Sequence, residues 1–366
     1  IGTAAVLVSI NLTMFCALSL LLRAKFSAIL GDETEANVAL WFVLGAVLFT
    51  SFSVTLFEGL AFVINRFDLY VRVGIASSVL DTVIVAAAAW QYGFLGAAAA
   101  LPLSALGMLV FYLTFLSRDK SAFTIISATR FRRSAVAPML GYALSMLATV
   151  ALVQAATTTL RGYVVATAGA SSNGALQVPT ALSAYLLPFI MTGFWGHLHA
   201  LAAEHGDVQE VRREFWKSLK VGAALSFVGT AGIAAAAPFI VPIVYSRDFS
   251  MANGLVTGYM PAEFAFQVAT IMSSYFLVVG QRGVYVLVQL VYAAVMLIAA
   301  GFLIPEFGAP GYVAGHGLAS LSFLAVAMSI AWRAGQIDGR IVAVVLAGVV
   351  AIAALSGIFL FEQMFD

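Results

Sequence analysis

Long uninterrupted stretches of apolar residues run through the chain and constrain its fold more than any other feature. Of the 366 residues, 62% are hydrophobic and 10% are charged, whereas soluble domains have about 45–50% apolar and about 25% charged residues. Runs such as 83–89 and 97–100 lack the alternating pattern of a membrane barrel. The sequence therefore predicts an all-α, polytopic membrane protein.

Eleven stretches have about the length needed to cross a bilayer as a helix, roughly 17 to 25 residues. They lie at 4–22, 38–63, 73–91, 94–116, 137–158, 175–196, 221–245, 256–280, 284–304, 311–332 and 341–361. Of the 18 Lys and Arg residues, only Arg23, Lys25, Arg161 and Arg247 fall in one set of alternate loops. The positive-inside rule assigns the other, larger set to the cytoplasm.

A weak internal repeat links residues 92–97 (YGFLGA) with residues 307–312 (FGAPGY). In both places an aromatic-Gly-x-x-Gly turn separates two apolar helices, and the spacing corresponds to six helices. An even number of helices per repeat predicts two parallel, pseudo-symmetric lobes with a substrate path between them. Because the chain opens with Ile1, we also expect two helices to be missing in front, with the N-terminus of the full chain in the cytoplasm.

The repeat predicts four segments. Residues 1–116 are the remnant of an N-terminal lobe with four helices, and 117–135 form a basic cytoplasmic linker. Residues 136–332 form a C-terminal lobe of six helices, and 333–366 add one more. Within the second lobe, 199–220 has the pattern of a short amphipathic helix on the membrane surface, with charges opposing Val211, Phe215, Trp216 and Leu219.

Acidic residues inside spans need a partner or a purpose, since a charge there costs at least about 2.5–3.5 kcal/mol. Asp81, near mid-depth, fits either a site for a coupling proton or cation, or a neutral acid bonded to a neighbouring helix. Glu58 lies near the cytoplasmic edge, where it fits either ion coupling or a water-exposed acid at the membrane interface. Glu263 follows Pro261, which can kink the helix and expose carbonyls to a cavity. We expect Glu263 to line that cavity.

Two further residues are candidates for substrate binding. Arg161 follows Gln154 and three threonines at the outer end of the fifth predicted helix. Its fork of donors suits a phosphate or carboxylate if it points inward, and the alternative is that it snorkels to the outer headgroups. His316 lies between Gly315 and Gly317, where it fits either cavity lining or close helix packing.

Several functions are excluded by what the sequence lacks. It has no Ser-His-Asp order, no phosphate-binding glycine loop and no HExxH motif. We therefore expect no enzyme activity, no cofactor and no metal site. The net charge of +1 gives no electrostatic basis for binding nucleic acid.

Residues 138–217 resemble the polysaccharide (O-antigen) flippase branch of the multidrug/oligosaccharidyl-lipid/polysaccharide (MOP, MATE-like) exporter superfamily. The resemblance lies in TTTLRGYVVATAG (157–169), ASSNGALQVPTAL (170–182), YLLPF (185–189) and EHGD (204–207), and in PEFGAPGYVAGHG (305–317). Many members carry Asp-Arg where this chain has Leu160-Arg161.

The resemblance implies twelve or fourteen helices and alternating access. It implies movement of an undecaprenyl-pyrophosphate-linked oligosaccharide across the bacterial inner membrane, with membrane lipids, a polysaccharide polymerase or glycosyltransferases as partners. On this basis Arg161 contacts phosphate, Glu263 and His316 line the cavity, and Asp81 couples an ion. The alternative is a MATE-type cation-coupled exporter that uses Asp81, Glu58 and Glu263. A membrane-embedded enzyme or scaffold is a third reading.

Overall fold

The structure is a computed structural model that describes Thr13 and residues 33–52, 67–117, 133–184, 186–188, 190–191, 208–245, 249, 252–334 and 339–365. The secondary-structure elements of these residues are all α-helices, which confirms the all-α prediction. They are α1 (Glu33–Phe52), α2 (Phe67–Leu116), α3 (Arg133–Ser183), α4 (Val208–Val244), α5 (Ala252–Val278), α6 (Arg282–Phe307), α7 (Ala309–Arg333) and α8 (Gly339–Phe365).

The described helices are those of a multi-pass membrane protein. Six segments among the described residues are long and apolar enough to cross a membrane, and they belong to α2, α3, α4, α6 and α7. Helices α5 to α8 begin and end within four residues of the spans predicted for them. The predicted span 4–22, the second half of 38–63 and most of the linker lie outside the described residues.

The two turns of the predicted repeat have the same backbone geometry. Gly93 kinks α2 with φ 58° and ψ −136°, and Gly308 separates α6 from α7 with φ 59° and ψ −128°. Three residues later, a Cβ on Gly96 would lie 2.0 Å from the Ala88 carbonyl oxygen, and one on Gly311 2.3 Å from that of Leu303. Both turns therefore need glycine at both positions, for backbone angle and for space.

The prediction that the fifth span ends near 158 is wrong, because α3 continues to a break at Gly169 (φ 87°, ψ 166°). Threonines near Arg161 suggested a helix end in the sequence, but their hydroxyls donate hydrogen bonds to carbonyls of the same helix. Thr157 donates to the Val153 carbonyl at 3.0 Å and Thr167 to the Tyr163 carbonyl at 2.9 Å. Polar side chains satisfied in this way do not end a helix. Arg161 consequently lies two turns inside the helix.

The amphipathic segment 199–220 is also not a separate surface helix, as far as it is described. From Val208 it is the first part of α4, which continues unbroken into the span. Its apolar face packs into protein: Val211, Phe215 and Leu219 are buried, and the Phe215 ring lies 4.5 Å from that of Tyr275, centroid to centroid. A face that meets protein has the same pattern as one that meets lipid headgroups, so the pattern alone could not distinguish them.

The chain divides into two compact units, residues 1–140 and 141–366. In the first unit α1 packs against α2. In the second, α5 packs against α4, α6, α7 and α8. Twenty of the 27 residues of α5 are buried, so this helix is enclosed by its neighbours and can hold polar side chains that a lipid-facing helix could not.

The turn at Gly308 yields a prediction about stability. Gly308→Ala forces a side chain onto φ 59° and brings its Cβ to 3.1 Å from that of Ala168, so we expect the free energy of unfolding to fall by about 1–3 kcal/mol. Gly301→Ala, in the same helix with nothing within 4 Å, is the control and should not destabilise. Thermal unfolding in detergent measures both. Equal melting temperatures for the two variants would contradict the strained turn.

Candidate functional site

Arg161 lies beside two amide side chains because α3 doubles back at Gly169. Arg161 comes eight residues before Gly169 and Gln177 eight residues after it, so the two share one depth, roughly 12 Å from the turn at 1.5 Å per residue. The Arg161 Nε donates to the Asn173 Oδ1 at 3.2 Å, and Nη2 donates to the Gln177 Oε1 at 2.6 Å. The two amides hold the guanidinium in one orientation.

The positive charge of Arg161 is not neutralised by this arrangement. Both acceptors are uncharged, and no carboxylate lies within ion-pair distance of Arg161 among the residues the structure describes. A guanidinium has five N–H donors and remains protonated. The two hydrogen bonds to the amide side chains therefore leave other N–H groups of Arg161 available. Arg161 is half-buried and Gln177 is exposed. The site can therefore receive an anion.

Glu263 and His316 form a buried polar pair between α5 and α7. The Glu263 Oε2 lies 3.5 Å from the His316 Nε2, and both side chains are less than a tenth exposed. Glu263 also accepts a hydrogen bond from the Gln267 Nε2 at 3.0 Å, and the Tyr259 side chain interacts with it electrostatically. The Glu263 carboxyl group therefore has polar side chains around it, as a buried ionisable group in a membrane protein requires.

Two tyrosines fix the ring of His316. Its Nδ1 lies 3.0 Å from the Tyr292 hydroxyl of α6, and Tyr259 stacks on the ring at 4.5 Å with an interplanar angle of 14°. When Tyr292 donates to Nδ1, the proton of a neutral imidazole is on Nε2 and faces Glu263.

Several buried polar atoms around this pair lack a hydrogen-bond partner. The His316 Nε2 is too poorly aligned with Glu263 for a hydrogen bond, and the Gln267 Oε1 and Ser320 Oγ are also without one among the described residues. Gln267 and Ser320 are fully buried. Such atoms usually find a partner, so this cluster has room in its bonding for a proton, a water or a small ion.

Tyr312 is a buried side chain of α7 within electrostatic range of both sites, Arg161 and Glu263. The sequence singled out Arg161, Glu263 and His316 separately, and the structure brings Glu263 and His316 into contact. Arg161 instead lies beside Asn173 and Gln177.

The other predicted residues are placed differently. Asp81 is an exposed residue of α2 in the first unit, and Glu58 lies outside the described residues. Pro261 lines a cavity of about 570 Å³ between α5, α7 and α8, but Glu263 and His316 are not among the residues that line it. The roles of Asp81 and Glu58 in ion coupling, and of Glu263 and His316 in cavity lining, stay predictions.

Sequence reasoning missed the partners of the site. Tyr259, Glu263 and Gln267 recur every fourth residue, as do Asn173 and Gln177. That spacing puts each set on one helix face, so it could have been used to find them. Tyr292 and Tyr312 carry no such signal, because aromatic residues are common throughout the chain.

The fold defines the class: a multi-pass α-helical membrane protein whose architecture is similar to that of transporters of known structure. No family model and no curated protein matches the chain. Among solved structures it is similar to an outward-facing multidrug-resistance MATE transporter of the MOP superfamily, at 15% identity and a TM-score of 0.68, covering 93% of this chain and 77% of that one.

Two further solved structures share the architecture. The MATE transporter VcmN of Vibrio cholerae, in its bent form, has a TM-score of 0.62 at 14% identity over 96% of this chain and 78% of that one. The lipid II flippase MurJ, in an inward-closed conformation, has a TM-score of 0.55 at 10% identity over 98% and 82%. At these identities the likeness establishes the fold, and the comparisons are transporters and a flippase rather than enzymes.

The buried pair yields a second stability prediction. Glu263→Ala leaves the buried Gln267 Nε2 donor without its acceptor, so we expect it to lower the free energy of unfolding by about 1–3 kcal/mol. Glu263→Gln retains an acceptor oxygen and should cost less. Glu306→Ala removes an exposed acid at the end of α6 and should change stability by less than about 0.5 kcal/mol. Equal melting temperatures for the three variants in detergent would contradict the buried network.

Proposed function

We propose that this protein is a MOP-type membrane transporter that moves a lipid-linked oligosaccharide, carried on undecaprenyl pyrophosphate, from the cytoplasmic to the outer leaflet. The observation that carries the proposal is Arg161: a permanent cation about 12 Å from the turn of its helix hairpin, whose hydrogen bonds with the described residues go to the neutral amides of Asn173 and Gln177. A pyrophosphate is the kind of anion that such a guanidinium binds.

The physical demands of this substrate support the assignment. A sugar-pyrophosphate head cannot cross hydrocarbon without losing its hydration, so its carrier needs fixed donors at membrane depth. Arg161 supplies them, and the amides keep them oriented. A similar fold occurs in the lipid II flippase MurJ. In the bacterial inner membrane, glycosyltransferases would supply the oligosaccharide and a polymerase would receive it.

The energy for transport has a candidate site in the Glu263–His316 pair. The pair is buried, and the His316 Nε2 and the Gln267 Oε1 beside it have no hydrogen-bond partner among the described residues, which leaves room for a coupling ion or proton. Asp81 and Glu58 remain alternative coupling residues in the first half of the chain.

We expect the Arg161 variants to lose transport in order of the donors they lose. Arg161→Ala removes charge-assisted hydrogen bonds worth about 1.5–3 kcal/mol, so the translocation rate should fall roughly 10- to 100-fold. Arg161→Lys keeps the charge but not the fork and should be intermediate. The assay is the appearance of a fluorescent pyrophosphate-linked oligosaccharide on the opposite leaflet of proteoliposomes, read with an impermeant quencher.

Arg333→Ala is the control for that assay, because Arg333 is an exposed residue in the last turn of α7. It should transport at the wild-type rate. If Arg161→Ala and Arg161→Lys also transport at that rate, Arg161 does not bind the substrate anion.

A cation-coupled exporter of drugs or metabolites is the second candidate, favoured by the buried carboxylate of Glu263. A carboxylate could bind an organic cation directly, and Arg161 would then repel the substrate. Efflux of a cationic dye from proteoliposomes distinguishes the two functions. Dye efflux that Glu263→Gln abolishes and Arg161→Ala leaves intact would select the exporter.

A further inference from the structure

A groove on the second unit combines apolar walls with one cation that forms no ion pair with a described residue. It has a volume of about 600 Å³ and lies between α4, α5 and α8. Lys220 lies at one end of the groove. Its apolar walls are formed by three helices: Ala223, Ala224, Phe227 and Val228 of α4, Phe264 of α5, and Val344, Val345 and Gly348 of α8. This volume is within the range of sites for small ligands, about 300–1,000 Å³.

The floor of the groove depends on a glycine. Phe227 and Phe264 meet edge to face, with centroids 6.0 Å apart and an interplanar angle of 82°. A Cβ on Gly348 would come within 3.0 Å of the Phe264 ring. The absence of a side chain at Gly348 therefore lets the Phe264 ring lie against α8 at the base of the groove.

Lys220 differs from the neighbouring basic residues of α4. Lys217 and Arg213 both pair with Glu214, at 2.6 and 3.6 Å between nitrogen and oxygen. Lys220 makes no ion pair with the described part of the chain, and its side chain is exposed at the mouth of the groove. The groove thus offers a free ammonium group at one end and hydrocarbon contact along the rest.

The dimensions match one lipid leaflet. From Lys220 to Val228 the lining of α4 extends eight residues, or roughly 12 Å, compared with about 15 Å for half of the hydrocarbon core. The predicted topology puts the Lys220 end at the cytoplasmic face, where the leaflet carries anionic lipids. An acyl chain would lie along the two phenylalanines while the lipid phosphate reaches Lys220.

We propose that this groove is a binding site for an anionic phospholipid of the cytoplasmic leaflet, with its phosphate on Lys220 and one acyl chain along Phe227 and Phe264. This site is separate from Arg161 and from the Glu263–His316 pair. Lipid binding there does not depend on which substrate the protein transports. Its occupant would fill the space between α8 and the helices it packs on.

Native mass spectrometry of the full chain, titrated with phosphatidylglycerol or phosphatidylethanolamine, tests the site. The wild type should retain phosphatidylglycerol in preference to phosphatidylethanolamine. Lys220→Gln should weaken its binding roughly fivefold, the effect of about one basic residue at a membrane surface. Lys217→Gln, the same charge change at a residue already paired with Glu214, should retain wild-type binding.

A second pair of variants tests the groove itself. Ala224→Trp fills the groove and should displace phosphatidylglycerol, whereas Leu225→Trp, at the next exposed position of α4 but outside the lining, should not. Equal retention of the two lipids, or equal losses in Lys220→Gln and Lys217→Gln, would overturn the proposal. So would Lys220-dependent binding of a polyprenyl phosphate without binding of phosphatidylglycerol, or loss of a dimer rather than of lipid in Ala224→Trp.

Discussion

The bond between the Arg161 guanidinium and two amide side chains is the interaction on which this account depends. A charge inside a membrane protein must be paired or must face water, and Arg161 has neutral partners only among the described residues. Its geometry follows from the backbone: the break at Gly169 folds α3 into a hairpin, and Asn173 and Gln177 return along the second arm to the depth of Arg161. The Arg161 guanidinium is thus held in place by a backbone break that lies about two helical turns along α3.

The Glu263–His316 pair uses the opposite solution to the same constraint. Helix α5 is enclosed by α4, α6, α7 and α8, so Glu263 meets protein rather than lipid. Gln267 of the same helix donates a hydrogen bond to Glu263, and His316 is fixed by Tyr292 of α6. The second unit thus accommodates ionisable side chains in two ways: Arg161 by neutral amides on a hairpin, and Glu263 by burial among polar groups.

The sequence predicted the helices well where they are apolar and failed where polar side chains lie within them. Helices α5 to α8 and the paired turns at Gly93 and Gly308 follow from apolar periodicity and glycine spacing. The threonines before Arg161 suggested a helix end because a hydrogen bond such as that of Thr157 to the preceding turn leaves no trace in composition. Similarly, the apolar face of the first part of α4 could not indicate whether it meets lipid or Tyr275. Of the site, the charged residues were predictable from their cost in a membrane, but their tyrosine and amide partners depend on how the helices pack.

The central claim is that the face of α3 bearing Arg161 and Gln177 is in contact with water at membrane depth. Cysteine accessibility measures this directly, since Cys16 is the chain's one cysteine and can be replaced by serine. In that background, Gln177→Cys should react with a membrane-impermeant thiol reagent, and the lipid-linked oligosaccharide should slow the reaction. Leu290→Cys, an exposed position on α6 expected to face lipid, should react little. A Gln177→Cys protein that reacts no faster than Leu290→Cys would contradict the claim, because Arg161 would then lie in a site that no hydrated substrate reaches.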